Sequence, residues 1–168
     1  MTGTELHWVD GPWPGKLALA ARPRGGDWLE DEITIWQRGG VNTVFSLLTS
    51  EEERDLGISR EAAEARTHGM KFLSYPIVDR QVPDSESDLA TALEKLDAEL
   101  AAGKNVVLHC RQGIGRTGLV AACLLLTKGV APETAVSLLS AARGTSVPET
   151  PEQLEWIRHY AESSTAPR

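Results

Sequence analysis

Short apolar runs alternate with helix-period segments along the chain, and turn residues stand between them. KLALAA, at 16–21, is an apolar, strand-like run followed by the loop RPRGGD. Asp27 is placed to cap a helix through WLEDEITIWQR, which carries acids in its first turn and ends at Gly39 and Gly40. VNTVFSLL is short, apolar and rich in β-branched residues, the signature of a buried strand. Thr49 or Ser50 before EEE starts a short helix, and SREAAEARTHG predicts a second, closed by Gly69. MKFLSYPIV reads as a third inner strand. The polar loop DRQVPDSES leads into a helix from about Ser87 to Ala102, with Gly103 beyond its end. NVVLHC is a fourth strand, and GLVAACLLL after it is apolar on all sides, as a central buried helix would be. Pro132 sits in the first turn of a helix over PETAVSLLSAARG, and TPEQLEWIRHY supplies the last helix. The end of the chain is expected to fray from about residue 162.

Strands separated by helices imply an α/β fold, with a central, mainly parallel sheet of about four to five strands and helices on both faces. A chain of 168 residues fits a single domain spanning 1–168. In such a sheet, ligands bind beyond the carboxyl ends of the strands, where loops pass into helices. Cys110 stands at one of those ends.

Composition narrows the function classes. A net charge of −7 argues against general affinity for nucleic acid or an anionic membrane, since both need a basic field. Two cysteines, Cys110 and Cys123, are too few for a disulfide framework or a cysteine zinc site, which points to a reducing, cytoplasmic setting. The first residues lack the basic start and apolar core of a signal peptide, and the longest apolar run falls short of the roughly 20 residues a membrane span needs. Neither a cofactor nor a metal is expected. Trp8, Trp13, Trp28, Trp36 and Trp156 read as core or helix-packing residues. Cys123, inside the all-apolar helix, reads as a core thiol.

The chemistry concentrates in NVVLHCRQGIGRTGLV. Gly113 and Gly115 allow backbone conformations that other residues avoid, so the segment after Cys110 can curl until its N–H groups converge on one centre. The helix that starts near Arg116 and Thr117 adds further unpaired N–H groups and the positive end of its dipole. Thiols at helix N-termini or beside cations ionise more readily, so Cys110 is expected to act as a thiolate. The planar fork of Arg116 can grip two phosphate oxygens, and the Thr117 hydroxyl would stand near the sulfur.

His109-Cys110-Arg111-Gln112-Gly113-Ile114-Gly115-Arg116-Thr117-Gly118 also fits the signature H-C-x5-R-[ST]-G. On these residues the chain resembles the cysteine-based protein phosphatases, the tyrosine and dual-specificity group, and within it the compact single-domain enzymes and their bacterial relatives. The resemblance runs from Phe72 to about Ile157. It implies a protein tyrosine phosphatase-like fold, with Cys110 as nucleophile, Arg116 as phosphate clamp and Arg111, Gln112, Gly113, Ile114 and Gly115 as the phosphate cradle. His109 would tune the cysteine without reacting.

Protonating the leaving oxygen needs a general acid. YPIVDRQVPDS offers Asp79 and Asp84. Asp79 follows the apolar strand directly, and D-x-x-V-P is similar to the movable acid loop of the family, whereas Asp84 stands where a helix cap is expected. VPETPEQLEWI resembles the family's water-positioning segment, which makes Glu149 and Gln153 candidates for that task, with an exposed or a helix-capping role an equal alternative for Gln153. The implied substrate is a phosphoprotein or phosphopeptide. A catalytically weak phosphate-binding module, a phosphoinositide phosphatase and a sulfurtransferase are the alternatives. Arg22 and Arg24 could meet an acidic substrate, although solvated arginines are the simpler reading.

Overall fold

The computed structural model describes residues 3–165. Five strands, β1 (His7–Val9), β2 (Leu17–Ala20), β3 (Thr43–Ser46), β4 (Lys71–Ser74) and β5 (Val106–His109), form one sheet in the order β1-β2-β5-β3-β4. β2, β5, β3 and β4 are parallel, and β1 adds an antiparallel edge with His7 opposite Leu19. The helices are α1 (Leu29–Arg38), α2 (Ser50–Asp55), α3 (Glu61–Thr67), α4 (Glu86–Ala101), α5 (Gly115–Thr127), α6 (Pro132–Arg143) and α7 (Pro151–Thr165).

The pleat sends alternate side chains to opposite faces and so creates two cores. Leu17, Leu19, Phe45, Val106 and Leu108 pack with residues of α4, α5, α6 and α7. Ala18, Ala20, Val44 and Val107 pack with Leu29, Ile33 and Trp36 of α1 and Ala65 of α3. β5 is central in this arrangement, and α5 behind it is buried at every position from Gly115 to Leu126. Each buried leucine of that helix is worth about 1.5–3 kcal/mol. The segment that leaves β5 is therefore anchored at both ends in the interior.

Several expectations need correction. The run MKFLSYPIV is an edge strand: Lys71 and Ser74 are exposed, Phe72 and Leu73 only partly buried, and β4 has β3 as its sole neighbour. β1, only three residues long, has too little sequence for its period to register. Asp27 does not cap α1; it lies in a 3₁₀ turn, Gly26–Trp28, and Trp28 takes the cap position without a side-chain bond. Ser85 rather than Asp84 caps α4, its Oγ accepting from the Asp88 N–H. Helix α7 runs to Thr165, past the position near 162 from which the tail is expected to fray, and the last three positions lie outside the described residues. Trp36 is in the core, but Trp8 and Trp28 are exposed, the latter beneath the Arg24 guanidinium at 4.6 Å. Among the described residues no helix is long and apolar enough to cross a membrane.

Candidate active site

Cys110 follows β5 directly and forms the floor of a cleft of about 210 Å³, walled by Asp79, Arg80, Arg111, Arg116 and Glu149. Gly113 has φ +71°, and a Cβ there would stand 2.4 Å from the Ala20 carbonyl, so both its conformation and its neighbour demand glycine. Gly115 opens α5 with the Gln153 amide close by: a Cβ would meet Gln153 Oε1 at 3.0 Å. The loop 111–114 thus curls against β2 and delivers Arg116 into the interior, where it is 1% exposed.

A buried guanidinium needs partners for its N–H groups. Arg116 Nη1 donates to Glu52 Oε1 and to the Ile77 carbonyl, both at 2.7 Å, and Nη2 donates to Glu52 Oε2 and to Asp79 Oδ1, both at 2.9 Å. Burial favours neutral Glu52, but the hydrogen bonds from Arg116 and Thr49 outweigh it and hold the carboxyl below its usual range. For Arg116 burial acts against the charge, and Glu52, together with the Cys110 sulfur, reverses that and raises its pKa. All four terminal N–H groups are engaged, and the edge a phosphate could take is Nε with Nη2, once Asp79 lets go.

Glu52 itself is set by local helix chemistry. Thr49 Oγ1 accepts from the Glu52 N–H, and the Glu52 carboxylate accepts from the Thr49 N–H, each at 3.2 Å. The capping box aims one carboxylate across the molecule at an arginine 64 residues away. Arg111 stands 3.7 Å from the same carboxylate.

On the other side of the cysteine, His109 is fully buried. Its Nε2 is hydrogen-bonded with Glu61 Oε2 at 2.6 Å, and its Nδ1 lies 3.3 Å from the Cys110 carbonyl. Thr117 Oγ1 is buried and makes no hydrogen bond among the described residues, so no bond joins it to the sulfur. Gln153 is fully buried and acts as a brace: its Oε1 accepts from the N–H groups of Glu149 and Thr150, and its Nε2 donates to the Gln81 carbonyl of the acid loop. Glu149 pairs with Arg80 at 2.9 Å across the cleft mouth, and Arg80 is held at φ +66°. Asp79 therefore sits on a loop tied at Arg80 and Gln81 to the loop before α7.

Glu52, Glu61 and Arg80 were not among the residues that sequence reasoning selected. The Thr49-to-Glu52 spacing signals a cap, but nothing local reveals the long-range partner. Arg24 pairs with Glu32 at 2.7 Å, the Arg22 side chain donates to the Pro23 carbonyl, and the residues lining the cleft do not include either. Burial pushes the Cys123 thiol up, as a core thiol requires. Among the described residues no three His, Cys, Asp or Glu side chains gather to hold a metal ion. A larger groove of about 510 Å³ lies at the far end of α5, around Leu126, Val130, Pro132 and Arg158, away from Cys110.

Residues 19–130 match the family described as Tc-R-P: Polymorphic toxin system, DSP-PTPase phosphatase. The chain belongs to this DSP-PTPase phosphatase family. Human cyclin-dependent kinase inhibitor 3 is 33% identical over 129 residues, which is 76% of this chain and 60% of that protein. The chain thus spans about 60% of the length of this curated relative. Among solved structures, kinase associated phosphatase with its catalytic-site cysteine changed to serine superposes with a TM-score of 0.89 at 22% identity, covering 100% of this chain and 99% of that one. PTPMT1 in complex with PI(5)P superposes with a TM-score of 0.71 at 22% identity, covering 89% and 92% of the two chains. These superpositions show that the chain has the protein tyrosine phosphatase fold.

Proposed function

We propose that the protein hydrolyses phosphomonoesters of phosphoproteins, on phosphotyrosine and on phosphoserine or phosphothreonine, through a phosphocysteine intermediate without a metal ion. The observation that carries this reading is the meeting of Cys110, Arg116 and Asp79 in one small cleft at the head of α5. The phosphate enters the loop 111–116, displaces Asp79 from Arg116 and takes the Nε and Nη2 edge of the guanidinium. The Cys110 thiolate attacks phosphorus and the bond to the leaving oxygen breaks, while Asp79, freed from Arg116 and having taken up a proton from solvent, passes that proton to the leaving oxygen. Water then attacks the phosphocysteine, the S–P bond breaks, and Asp79 takes the proton from the water. Glu149 and Gln153 hold the loop that carries the acid, which fits a positioning role better than direct contact with water. Thr117, buried beside the loop, offers its hydroxyl to the departing sulfur.

Protein substrates are favoured over inositol lipids because Arg111 is the only basic residue between Cys110 and Arg116. The acid held within the cleft favours turnover over mere phosphate binding. Hydrolysis of an activated aryl phosphate in EDTA, beside the Cys110→Ser protein, tests the reading. Turnover that disappears in the variant supports it, and a wild-type protein that binds phosphate without turnover sinks it. A panel of phosphopeptides and phosphoinositides then separates the substrate classes, and thiocyanate formation from thiosulfate would mark a sulfurtransferase.

A further inference from the structure

A loop that cradles a dianion needs its N–H groups turned inward. In a trans peptide the carbonyl of one residue and the N–H of the next point in opposite directions, so fixing a carbonyl outward fixes the following N–H inward. Three consecutive carbonyls of this loop are held from outside. The Arg111 carbonyl accepts from the Arg22 N–H at 3.2 Å. The next two are taken by a single side chain: Arg143 Nη2 donates to the Gln112 carbonyl at 2.9 Å, and Arg143 Nε donates to the Gly113 carbonyl at 3.1 Å.

We propose that Arg143 is a positioning residue of the phosphate loop, a clamp on its outer side that turns the Gly113 and Ile114 N–H groups toward the phosphate. This rests on the phosphatase reading of the loop. Arg143 is the last residue of α6, and the adjoining Gly144 ends that helix at φ +81°. Its third contact runs to β1, where Nη1 donates to His7 Nε2 at 3.2 Å. One planar fork therefore spans three acceptors, which a lysine ammonium on a flexible stem cannot hold in a fixed geometry. Gly113, at φ +71°, has no side chain to limit its backbone, so an outside tether is what confines it to one conformation. Both His7 and Arg143 lie outside residues 19–130, the part that matches the family, so the clamp is built from the flanks of this chain.

The test compares wild type, Arg143→Met, which keeps the apolar stem, and Arg143→Lys. Readouts are kcat and KM on an aryl phosphate, the inhibition constant of inorganic phosphate, and the thermal midpoint with and without phosphate. Arg143→Met should lower kcat/KM about 10-fold or more, because cradle donors that lose their alignment lose much of their effect on the transition state. Its phosphate inhibition constant should rise by a comparable factor, and phosphate should raise its midpoint less than that of wild type. Arg143→Lys should recover only part of each loss, since it can hold one carbonyl firmly. If Arg143→Met, assayed well below its own midpoint, keeps wild-type kinetics and phosphate inhibition, the clamp is merely structural and the inference fails. If Arg143→Met does not fold, full phosphate affinity in Arg143→Lys overturns the inference. Wild type that neither turns over nor is stabilised by phosphate would remove the phosphatase reading, and the clamp with it.

Discussion

Asp79 Oδ1 accepts a hydrogen bond from Arg116 Nη2 at 2.9 Å, so the two side chains occupy each other across the cleft. The two groups differ in freedom: the Arg116 side chain is 1% exposed and that of Asp79 43%. On the proposed function, an arriving phosphate would compete with the more exposed partner, and binding itself would release Asp79 toward the leaving oxygen.

Asp79→Asn should lower kcat by about 10²–10⁴-fold on phosphopeptides, whose leaving oxygens need a proton, and far less on an activated phenol. The amide cannot give or take that proton but still fits the loop. Steady-state assays on a series of aryl phosphates check this, and the same slope against leaving-group pKa in both proteins would refute it.

Glu52→Ala leaves the Arg116 cation buried without its main anion, and such losses cost about 3–5 kcal/mol. The urea midpoint should drop accordingly, and kcat/KM should fall with it because the guanidinium loses its fixed plane. The sign with pH follows from the depressed Glu52 pKa. Its stabilisation is complete above the unfolded value of about 4.3 and fades as pH falls through the lower folded value. Wild type should therefore lose more stability between pH 6 and pH 3 than the variant.

His7 behaves differently. Burial first, and then the nearby Arg143, lower its pKa. The folded state therefore resists protonation, and stability held above the unfolded value of about 6.5 declines as pH drops toward the folded one. His7→Gln keeps an acceptor for Arg143 without that titration. Urea unfolding at pH 7.5 and pH 5.5 should show a smaller acid loss in His7→Gln than in wild type, and equal losses would show that His7 is not responsible.

The Arg80 and Glu149 side chains are 61% and 29% exposed, and such ion pairs are worth about 1 kcal/mol or less. Glu149→Gln should leave the thermal midpoint almost unchanged. It should nevertheless raise KM and reduce the salt dependence of turnover, because it unfastens the acid loop at the cleft mouth. Kinetics at low and high salt provide the comparison.

Local sequence carried much of this site. The strand, paired glycines, Arg116 and apolar helix around Cys110 are contiguous, so their geometry is legible from spacing alone. The Asp79 loop was legible because a polar, proline-bearing stretch follows an apolar run. Glu52, Glu61 and Arg143 were not, since each meets the loop through a fold that brings distant segments together, and their local roles as cap, helix acid or helix end account for them without it. The edge position of β4 was hidden for a related reason: KFLS is apolar enough for an interior strand, and strand order is a property of the whole sheet.

The burial of α5 has a consequence in time. Its backbone N–H groups can exchange with solvent hydrogen only when the central layer of the molecule opens, so they should be among the slowest in the protein. The Asp79 loop, fastened by the Asp79–Arg116 hydrogen bond, an exposed ion pair and one hydrogen bond from the Gln153 amide, can open without unpacking that layer. The floor that holds Cys110 thus keeps its shape for as long as the protein stays folded, while the wall that carries Asp79 is free to come and go on the timescale of a loop.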